Sequence, residues 1–137
     1  MDDSQSDNAR LRIEAMYRAD TAALNLGVEL GEAAPGSVVV TLEVNERHLG
    51  SLGQLHGGVL FTLADVAMSY ASNSQSTAMA THAAIDFVDG AQLGDVLVAT
   101  AIEQNLRGKV GIYDVAIRSA GDDRLIAAFR GNTLRLS

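Results

Sequence analysis

The stretch from His56 to Asn73, HGGVLFTLADVAMSYASN, decides how this chain folds. Its apolar side chains recur three or four positions apart, at the spacing of one helix face: Leu60, Leu63, Ala64, Ala67, Met68 and Ala71. A stripe of this length predicts a buried α-helix that ends near Asn73. Because the helix is so apolar, it needs a sheet to pack against.

The flanking sequence supplies that sheet. Apolar and polar residues alternate with a period of two in runs that predict six β-strands, at 28–30, 37–44, 77–88, 95–104, 109–119 and 125–136. The first two strands form a hairpin around a turn at 32–36, and the last four follow one another as an antiparallel meander. A short helix over about 8–25, stopped by Gly27, precedes them. The prediction is an α+β fold in which a six-stranded antiparallel sheet wraps a long central helix.

The length of the chain and its two ends set further expectations. A chain of 137 residues has the size of one domain, so we expect residues 1–137 to fold as a single unit. Residues 1–8 are acidic and polar, which predicts a disordered lead and, because they differ from a secretory signal, a cytoplasmic protein. Polar residues interrupt every apolar run before the roughly 18 residues that cross a bilayer, so we expect no membrane partner.

Charge and cysteine content exclude several classes of function. The chain carries 10 Lys and Arg against 17 Asp and Glu, a net charge of −7, which is opposite to that of a nucleic-acid-binding protein. The absence of cysteine excludes a disulfide scaffold, a thiolate zinc site and a cysteine nucleophile. His48, His56 and His82 lack the spacing of metal ligands, so we expect neither a metal nor another cofactor. The motifs of serine-hydrolase elbows and phosphate loops are also missing from the sequence.

Asp65 is the first candidate for chemistry. It is the only Asp, Glu, Lys or Arg between Arg47 and Asp86. On the predicted helix it falls in a narrow polar stripe with Thr62, Ser69 and either Ser72 or Asn73. Such a stripe often faces only water or a partner subunit, but a solvated helix face normally carries several charges. A single carboxylate in this setting indicates a special environment.

His56-Gly57-Gly58, at the start of the same helix, is the second candidate. Unpaired backbone N–H groups and the positive end of the helix dipole meet there, and such amides can stabilise an oxyanion. A flexible loop before a helix would explain the glycines equally well. Gly57 and Asp65 are eight residues apart, or about 12 Å along one helix, too far to hold one reacting carbon. If both act, they belong to different subunits of a symmetric dimer.

Basic residues concentrate in the last third of the chain, at Arg107, Lys109, Arg118, Arg124, Arg130 and Arg135. Two interpretations of this concentration remain open. The residues protect solvated strand edges from aggregation, or they bind a phosphorylated ligand.

The segment from His56 to Asp65, with Tyr70-Ala71 and Asn73-Ser74-Gln75, resembles the hotdog-fold acyl-CoA thioesterases of the phenylacetate-degradation (PaaI) type. The similarity extends over nearly the whole chain, through Met16-Tyr17, Asp20, Ile85-Asp86-Phe87, Gly94-Asp95, Gly111-Ile112-Tyr113-Asp114 and Phe129-Arg130-Gly131. The hotdog fold of that family, a long helix cradled by an antiparallel sheet, agrees with the fold predicted from periodicity.

The resemblance implies hydrolysis of acyl-CoA thioesters such as phenylacetyl-CoA or its ring-hydroxylated relatives. Asp65 would be the general base or nucleophile, Gly57 would bind the thioester carbonyl through its N–H, and His56 would orient substrate or water. The residues expected to contact substrate are Gly58, Ser69, Gln54, Phe61 and Asn73, with Thr81 and His82 as further candidates. Sites between subunits and a tetramer built as a dimer of dimers are implied as well.

One position departs from the family pattern. A polar residue, often Asn or Gln, commonly lies seven residues before the glycine, where this chain has Gly50, and Gln54 is the candidate to replace it. Two rival functions also stay open. A hotdog hydratase or dehydratase would use a His and an acid, which His56 and Asp65 superficially supply, and a non-catalytic sensor would bind acyl-CoA without turnover.

Overall fold

A computed structural model describes residues 3–136 of the chain. Three α-helices, six β-strands and one 3-10 turn follow one another in this order: α1 (Asp3–Ala19), α2 (Thr21–Leu26), β1 (Glu29–Ala34), β2 (Ser37–Glu43), the 3-10 turn (Glu46–His48), α3 (Gly57–Ser72), β3 (Ala78–Phe87), β4 (Val96–Arg107), β5 (Val110–Ser119) and β6 (Leu125–Arg135). Within residues 3–136, no helix combines the length and apolar character needed to span a bilayer.

The six strands form one antiparallel sheet in the order β1-β2-β4-β5-β6-β3. Helix α3 packs across one face, here called the inner face, and contacts β2, β3, β4, β5 and β6. The predicted α+β hotdog architecture, a sheet around a long helix, is therefore confirmed. The bounds of α3 fall within one residue of the segment predicted from the apolar stripe.

Small side chains allow the helix and the sheet to approach closely. Leu63, Ala64 and Ala67 of α3 are fully buried, as are Ala99 and Ala101 of β4. At Gly131 of β6 even a Cβ would collide with the sulfur of Met68, because the helix lies directly over that strand. The central helix is therefore held in place by packing on nearly its whole length, and its position relative to the sheet is fixed.

The predicted meander of the last four strands is wrong in one respect. β4, β5 and β6 do follow one another, but β3 pairs with β6 at the far edge of the sheet and not with β4. The β3–β4 connection therefore crosses the end of the sheet over three strand spacings, about 14 Å, which its eight residues at 88–95 span easily. Alternation of apolar residues fixes which face a strand buries, but it does not fix its neighbour.

Arg124 anchors this crossing loop. Its guanidinium forms ion pairs with Asp89 at 2.8 Å and with Asp122 at 2.7 Å. It also donates a hydrogen bond to the carbonyl of Gly90 at 3.1 Å. The buried Ala91 in the same loop accepts a backbone hydrogen bond from Leu55, 2.9 Å long, which ties the loop to the segment before α3.

The amino-terminal region differs from the single helix predicted over 8–25. The structure has two helices, because Asp20 interrupts the first and caps the second by accepting a hydrogen bond from the N–H of Ala23. Gly27, in the left-handed conformation, ends α2 as predicted. The expected disordered lead is wrong for residues 3–8, which belong to α1. Burial of Ala9 and Ile13 anchors this helix to the core, and residues 1 and 2 lie outside the described residues.

The first strand is also longer than the three residues predicted for it. β1 extends to Ala34, and the turn to β2 is confined to Pro35 and Gly36. Gly36 has a φ of 72°, which a residue with a side chain rarely adopts. The predicted turn was too wide because Glu32, Ala33 and Ala34 lack the alternation that marks a strand.

The carboxyl end of α3 is fastened to β3 by one buried side chain. The Nδ2 of Asn73 donates hydrogen bonds to the carbonyls of Ser69 (2.9 Å) and Ala78 (3.0 Å), and its Oδ1 accepts from the N–H of Ala78 at 2.9 Å. Asn73 therefore satisfies backbone groups at both the end of the helix and the start of the strand.

We expect Asn73→Ala to lower the free energy of unfolding by about 2–4 kcal/mol, because it leaves the buried N–H and C=O of Ala78 without partners. Urea denaturation measures this change. The exposed Asn105 provides a control, since Asn105→Ala should cost less than about 0.5 kcal/mol. Equal effects of the two substitutions would contradict the role given to Asn73.

Candidate active site

Asp65 lies in the middle of α3, partly buried, on the wall of a cavity of about 340 Å³. The other residues that line this cavity come from the same helix and from the start of β3: Met68, Ser69, Ser72, Ala78, Met79 and Ala80. The cavity is thus an apolar space with one carboxylate and two hydroxyl groups. Larger depressions occur on the outer face of the sheet, away from α3, and Asp65 does not line them.

The environment of Asp65 favours its protonated form. Burial raises the pKa of its carboxyl group above the ordinary value of 3.8, and the nearby charge of Asp20 raises it further. Asp20 is held in place by the hydroxyl of Tyr70, which donates a hydrogen bond to Oδ2 at 2.8 Å. A carboxylate with a raised pKa is a stronger base than one exposed to water, which suits it to proton abstraction.

The amino terminus of α3 leaves one backbone amide available. His56 caps the helix, and its Nδ1 accepts a hydrogen bond from the N–H of Gly58 at 2.8 Å. The next two amides, of Val59 and Leu60, bond to the carbonyl of His56. Within residues 3–136, the N–H of Gly57 has no hydrogen-bond partner. Gly57 therefore offers a free donor at the positive end of the helix dipole.

The hydrogen bond between Gly58 and His56 limits what these two residues can offer a ligand. The N–H of Gly58 already donates to His56, so it is not available to donate a hydrogen bond to a ligand. In the neutral ring of His56, Nδ1 is the acceptor and Nε2 carries the proton. His56 therefore orders the helix terminus first, and only its exposed Nε2 side remains for substrate or water.

The loop before α3 is organised by His48, which is 1% exposed. Its Nε2 bonds to the carbonyl of Leu26 at 2.7 Å, and its Nδ1 accepts from the N–H of Asn45 at 3.0 Å. Its own carbonyl accepts from the N–H of His56 at 2.9 Å. This chain of bonds connects the end of α2 to the first turn of α3 and fixes the direction of the Gly57 amide.

Phe87 stands beside Gly57 at the other end of β3 from the Asp65 cavity. A Cβ at Gly57 would lie 3.2 Å from Cε1 of Phe87, so the Phe87 ring lies against the backbone of Gly57. β3 is an edge strand, and both Phe87 and Met79 are more than half exposed. Gly57 and Asp65 therefore lie along one open edge of the sheet, near opposite ends of the same strand.

Of the remaining predicted substrate contacts, Ser69 lines the Asp65 cavity, as expected for a contact, whereas Phe61 and Gln54 lie elsewhere. Phe61 is 36% exposed and packs edge-on against Phe129, with ring centroids 5.6 Å apart. Gln54 is exposed, and its side chain lies over Gly90 of the crossing loop.

Asn73 does not reach the cavity as a substrate ligand, because its amide is fully engaged with the backbone. Thr81 is exposed at a bulge in β3, where its hydroxyl donates to the carbonyl of Asn132 at 3.3 Å, and His82 is exposed next to it. Gly50 faces the ring of His56, since a Cβ there would lie 3.4 Å from Cδ2. Across residues 3–136, no group of three or more His, Asp or Glu side chains is placed to hold a metal ion.

Three residues that shape the site were not assigned these contacts from the sequence, although Asp20 and Tyr70 were among the residues that carry the family resemblance. Asp20 and Tyr70 act on Asp65 from positions that carry no local signal of this contact, because the contact joins the α1–α2 corner to α3. His48 is part of a capping box with Asn45, three residues before it. An Asn followed three positions later by a hydrogen-bonding side chain is a capping-box pattern, and this pattern could have indicated the role of His48 from the sequence.

Comparison with known proteins shows the family of the chain. Residues 52–126, which contain the loop, α3 and strands β3 to β5, match the family model of the thioesterase superfamily. The chain is also 38% identical over 123 residues to the acyl-coenzyme A thioesterase PaaI of Escherichia coli K12, covering 89% of this chain and 87% of that protein.

The chain belongs to the thioesterase superfamily. The structure of the E. coli PaaI protein from the phenylacetic acid degradation operon superposes on this thioesterase with a TM-score of 0.94 at 36% identity, covering 97% of this chain and 96% of that one. A mutant of the PaaI protein of Thermus thermophilus gives a TM-score of 0.83 at 36% identity, over 85% of this chain and all of that one. The resemblance drawn from the sequence is confirmed, and the enzyme class is that of the PaaI-type acyl-CoA thioesterases.

We expect Asp65→Asn to raise the melting temperature of this thioesterase at pH 7. Because the pKa of Asp65 is raised in the folded state, ionisation costs folding free energy as the pH rises from 3.8 through that raised value. The advantage of the amide should therefore vanish below pH 3.8. Thermal denaturation of both proteins between pH 3 and pH 8 tests this.

Asp114→Asn is a matched control of opposite sign. The hydrogen bonds from Arg130 hold the pKa of Asp114 below its ordinary value, so this carboxylate stabilises the fold above that value and loses its effect as the pH falls through the lowered pKa. Asp114→Asn should lower the melting temperature at pH 7 slightly, since the pair is exposed. A melting temperature of Asp65→Asn below that of the wild type at pH 7 would refute the account of Asp65.

Proposed function

We propose that the chain, acting as a single hotdog domain, hydrolyses phenylacetyl-CoA or ring-hydroxylated phenylacetyl-CoA to the free acid and CoA. One observation carries the proposal: α3 presents an unbonded amide at Gly57 and a partly buried carboxylate at Asp65. These are the two groups that thioester hydrolysis needs, a donor for the developing oxyanion and a group that activates the attack.

The reaction follows from the chemistry of these two groups. The thioester carbonyl accepts a hydrogen bond from Gly57, and the helix dipole stabilises the negative charge that forms on the oxygen. Asp65 removes a proton from a water molecule whose oxygen attacks the carbonyl carbon. The tetrahedral intermediate collapses, the carbon–sulfur bond breaks, and the CoA thiolate takes up a proton. Direct attack by Asp65, through a mixed anhydride that water then hydrolyses, is the alternative route.

The active site requires two subunits. Gly57 and Asp65 are fixed about 12 Å apart on one rigid helix, so the pair that acts on one substrate comes from two copies of α3. The edge strand β3 supports this arrangement, because it runs beside α3 with an unpaired edge and exposed Met79 and Phe87. A two-fold axis at this edge brings Gly57 of one copy toward Asp65 of the other. We further propose that two such dimers form a tetramer.

Two observations support an aromatic acyl group in the substrate: the origin of a close structural relative, and the side chains that line the Asp65 cavity. The E. coli relative with a TM-score of 0.94 comes from the phenylacetic acid degradation operon. In this chain, the cavity beside Asp65 is lined by the flexible apolar side chains of Met68 and Met79, which suit an aromatic ring.

Release of free thiol from a panel of acyl-CoA thioesters tests the function. We expect the highest kcat/KM with phenylacetyl-CoA or a hydroxylated relative, compared with acetyl-, hexanoyl- and palmitoyl-CoA. A 3-hydroxyacyl-CoA is included, since its dehydration without thiol release would indicate a hydratase or dehydratase. Binding of acyl-CoA without turnover of any kind would indicate a sensor.

Asp65→Asn should lower kcat by about 10²–10⁴-fold, because an amide is neither a base nor a nucleophile. The variant is expected to be folded and more stable than the wild type, so a fall in kcat would report the loss of the carboxylate and not unfolding. Thiol release and circular dichroism are measured on the same sample. Wild-type kcat in a folded Asp65→Asn protein would contradict the assignment.

Gly57→Pro removes the free amide at a helix position that suits proline. Proline is favourable at the first position of a helix, and His56 before it is already extended (φ −68°, ψ 135°). We expect kcat to fall by roughly 10²–10³-fold. Gly57→Ala is the matched control, because it adds the same Cβ beside Phe87 but keeps the N–H. Equal kcat in the proline and alanine variants would exclude the amide as a donor.

Mixed dimers test the two-subunit site directly. When the inactive Asp65→Asn and Gly57→Pro chains are refolded together, half of the dimers contain one of each and have one intact site. We expect about a quarter of the wild-type activity to return. A site built within one chain would give no recovery, because every site would keep one defect.

A further inference from the structure

Among residues 3–136, Phe87 is the most exposed aromatic side chain, with 58% of its surface accessible. Aromatic rings are scarce in this chain, which contains three Phe, three Tyr and no Trp. The other five rings are taken up by the fold, in two edge-to-face pairs or by burial: Tyr17 with Tyr70, Phe61 with Phe129, and Tyr113. A single exposed ring is common on protein surfaces, so the argument for a role depends on where Phe87 lies.

The ring of Phe87 lies against the first residue of α3. A Cβ at Gly57 would be 3.2 Å from Cε1 and 3.3 Å from Cζ of this ring. Gly57 also carries the free amide that is proposed to bind the thioester carbonyl. A substrate whose carbonyl is held by that amide therefore has the Phe87 ring beside it.

The backbone around Phe87 fixes the position of the ring. Phe87 is the cross-strand partner of the buried Ala127, and directly opposed residues project from the same face, so its side chain belongs to the inner face. The next two amides, of Val88 and Asp89, both donate to the carbonyl of Ile126, at 2.9 and 3.1 Å. Because this segment is already ordered, a ligand that packs on the ring loses little affinity to ordering the backbone.

The proposed dimer brings the same ring to the Asp65 cavity of the second copy. Two copies of β3 that pair antiparallel about a two-fold axis through the middle of the strand overlap along their whole length, with opposite ends together. Phe87, the last residue of the strand, then lies opposite Ala78, the first residue, of the second copy. Ala78 is buried and lines the Asp65 cavity, so Phe87 closes that cavity from across the dimer axis.

We propose that Phe87 determines acyl-group specificity: its ring forms the wall of the acyl pocket between Gly57 of its own chain and the Asp65 cavity of the second copy, and it packs on an aromatic acyl group. This inference rests on the proposed function, including the two-subunit site. In a phenylacetyl group, one methylene separates the ring from the thioester carbon. A carbonyl bound at Gly57 therefore keeps the two rings within the distance of an aromatic pair, about 4.5–7 Å between centroids.

Leucine at position 87 tests this role, because it keeps an apolar side chain and removes the ring. For Phe87→Leu we expect the ratio of kcat/KM for phenylacetyl-CoA to kcat/KM for hexanoyl-CoA to fall by about 2- to 10-fold, as for the loss of one aromatic pair. Phe87→Tyr keeps the ring and should keep the ratio. Leu93→Ala is the control. Leu93 is 55% exposed at the other end of the crossing loop, where the N–H of Gly94 bonds to Val44, and the ratio should not change.

A second measurement reports binding without turnover. Because the chain contains no Trp, Phe87→Trp places a single indole fluorophore at this position. In the Asp65→Asn background, we expect its fluorescence to change and saturate when phenylacetyl-CoA is added, and to stay constant with CoA, which lacks the acyl group. Leu93→Trp in the same background is the matched control and should respond to neither compound.

The outcomes separate this inference from the proposed function. An unchanged ratio in Phe87→Leu, or an equal fall in kcat/KM for both thioesters, overturns the specificity role. An altered oligomeric state on size-exclusion chromatography with an unchanged ratio also overturns it, since Phe87 would then only pack against the second copy. If the wild type hydrolyses no acyl-CoA, the proposed function fails and the titration decides. A saturable response of Phe87→Trp to phenylacetyl-CoA then supports the acyl contact, and the absence of a response overturns it.

Discussion

The rigidity of α3 is the constraint on which the rest of this molecule depends. The helix carries a free amide at its first residue, Gly57, and a partly buried carboxylate two turns later, at Asp65. A helix rises about 1.5 Å per residue, so the two groups cannot approach each other within one chain. Burial of Leu63 and Ala67 against the sheet, and the contact of Met68 with Gly131, prevent the helix from moving to compensate. In the proposed dimer, a second copy would pack on the open edge of β3 and supply the other half of the site.

Both ends of this helix are held by buried polar side chains. At the start, His48 connects the end of α2 to His56, and His56 in turn caps the first turn. At the finish, Asn73 joins the last turn to Ala78. Among the residues that the structure describes, the N–H of Gly57 is the one at the start of the helix without a partner, because the cap satisfies the N–H of Gly58. The availability of that donor is thus a consequence of how the helix is capped, and it needs no flexible loop.

The sequence predicts the elements of this fold better than their arrangement. The bounds of α3 follow from a strong apolar stripe between Gly57 and Asn73, and β5 and β6 follow from regular alternation. The position of β3 beside β6 is not encoded locally, because alternation specifies a face, and the anchor that guides the crossing loop, Arg124, lies about thirty residues further along the chain. The same limit applies to the site. Asp65 and Gly57 were predicted from local pattern and resemblance, whereas the contacts that Asp20, Tyr70 and Phe87 make at the site join distant segments.

The surroundings of Asp65 make its charged form costly for folding and, at the same time, make its carboxylate more basic. Burial and the neighbouring Asp20 both oppose its charge, and Asp20 cannot turn away, because it caps α2 through Ala23 and accepts the hydroxyl of Tyr70. Folding therefore bears a cost at neutral pH that an amide in the same place would avoid. The same effects make the carboxylate a stronger base, because an acid with a raised pKa has a higher affinity for a proton. In the proposed reaction, proton transfer from water to Asp65 would therefore be favoured by the burial and by the neighbouring charge of Asp20.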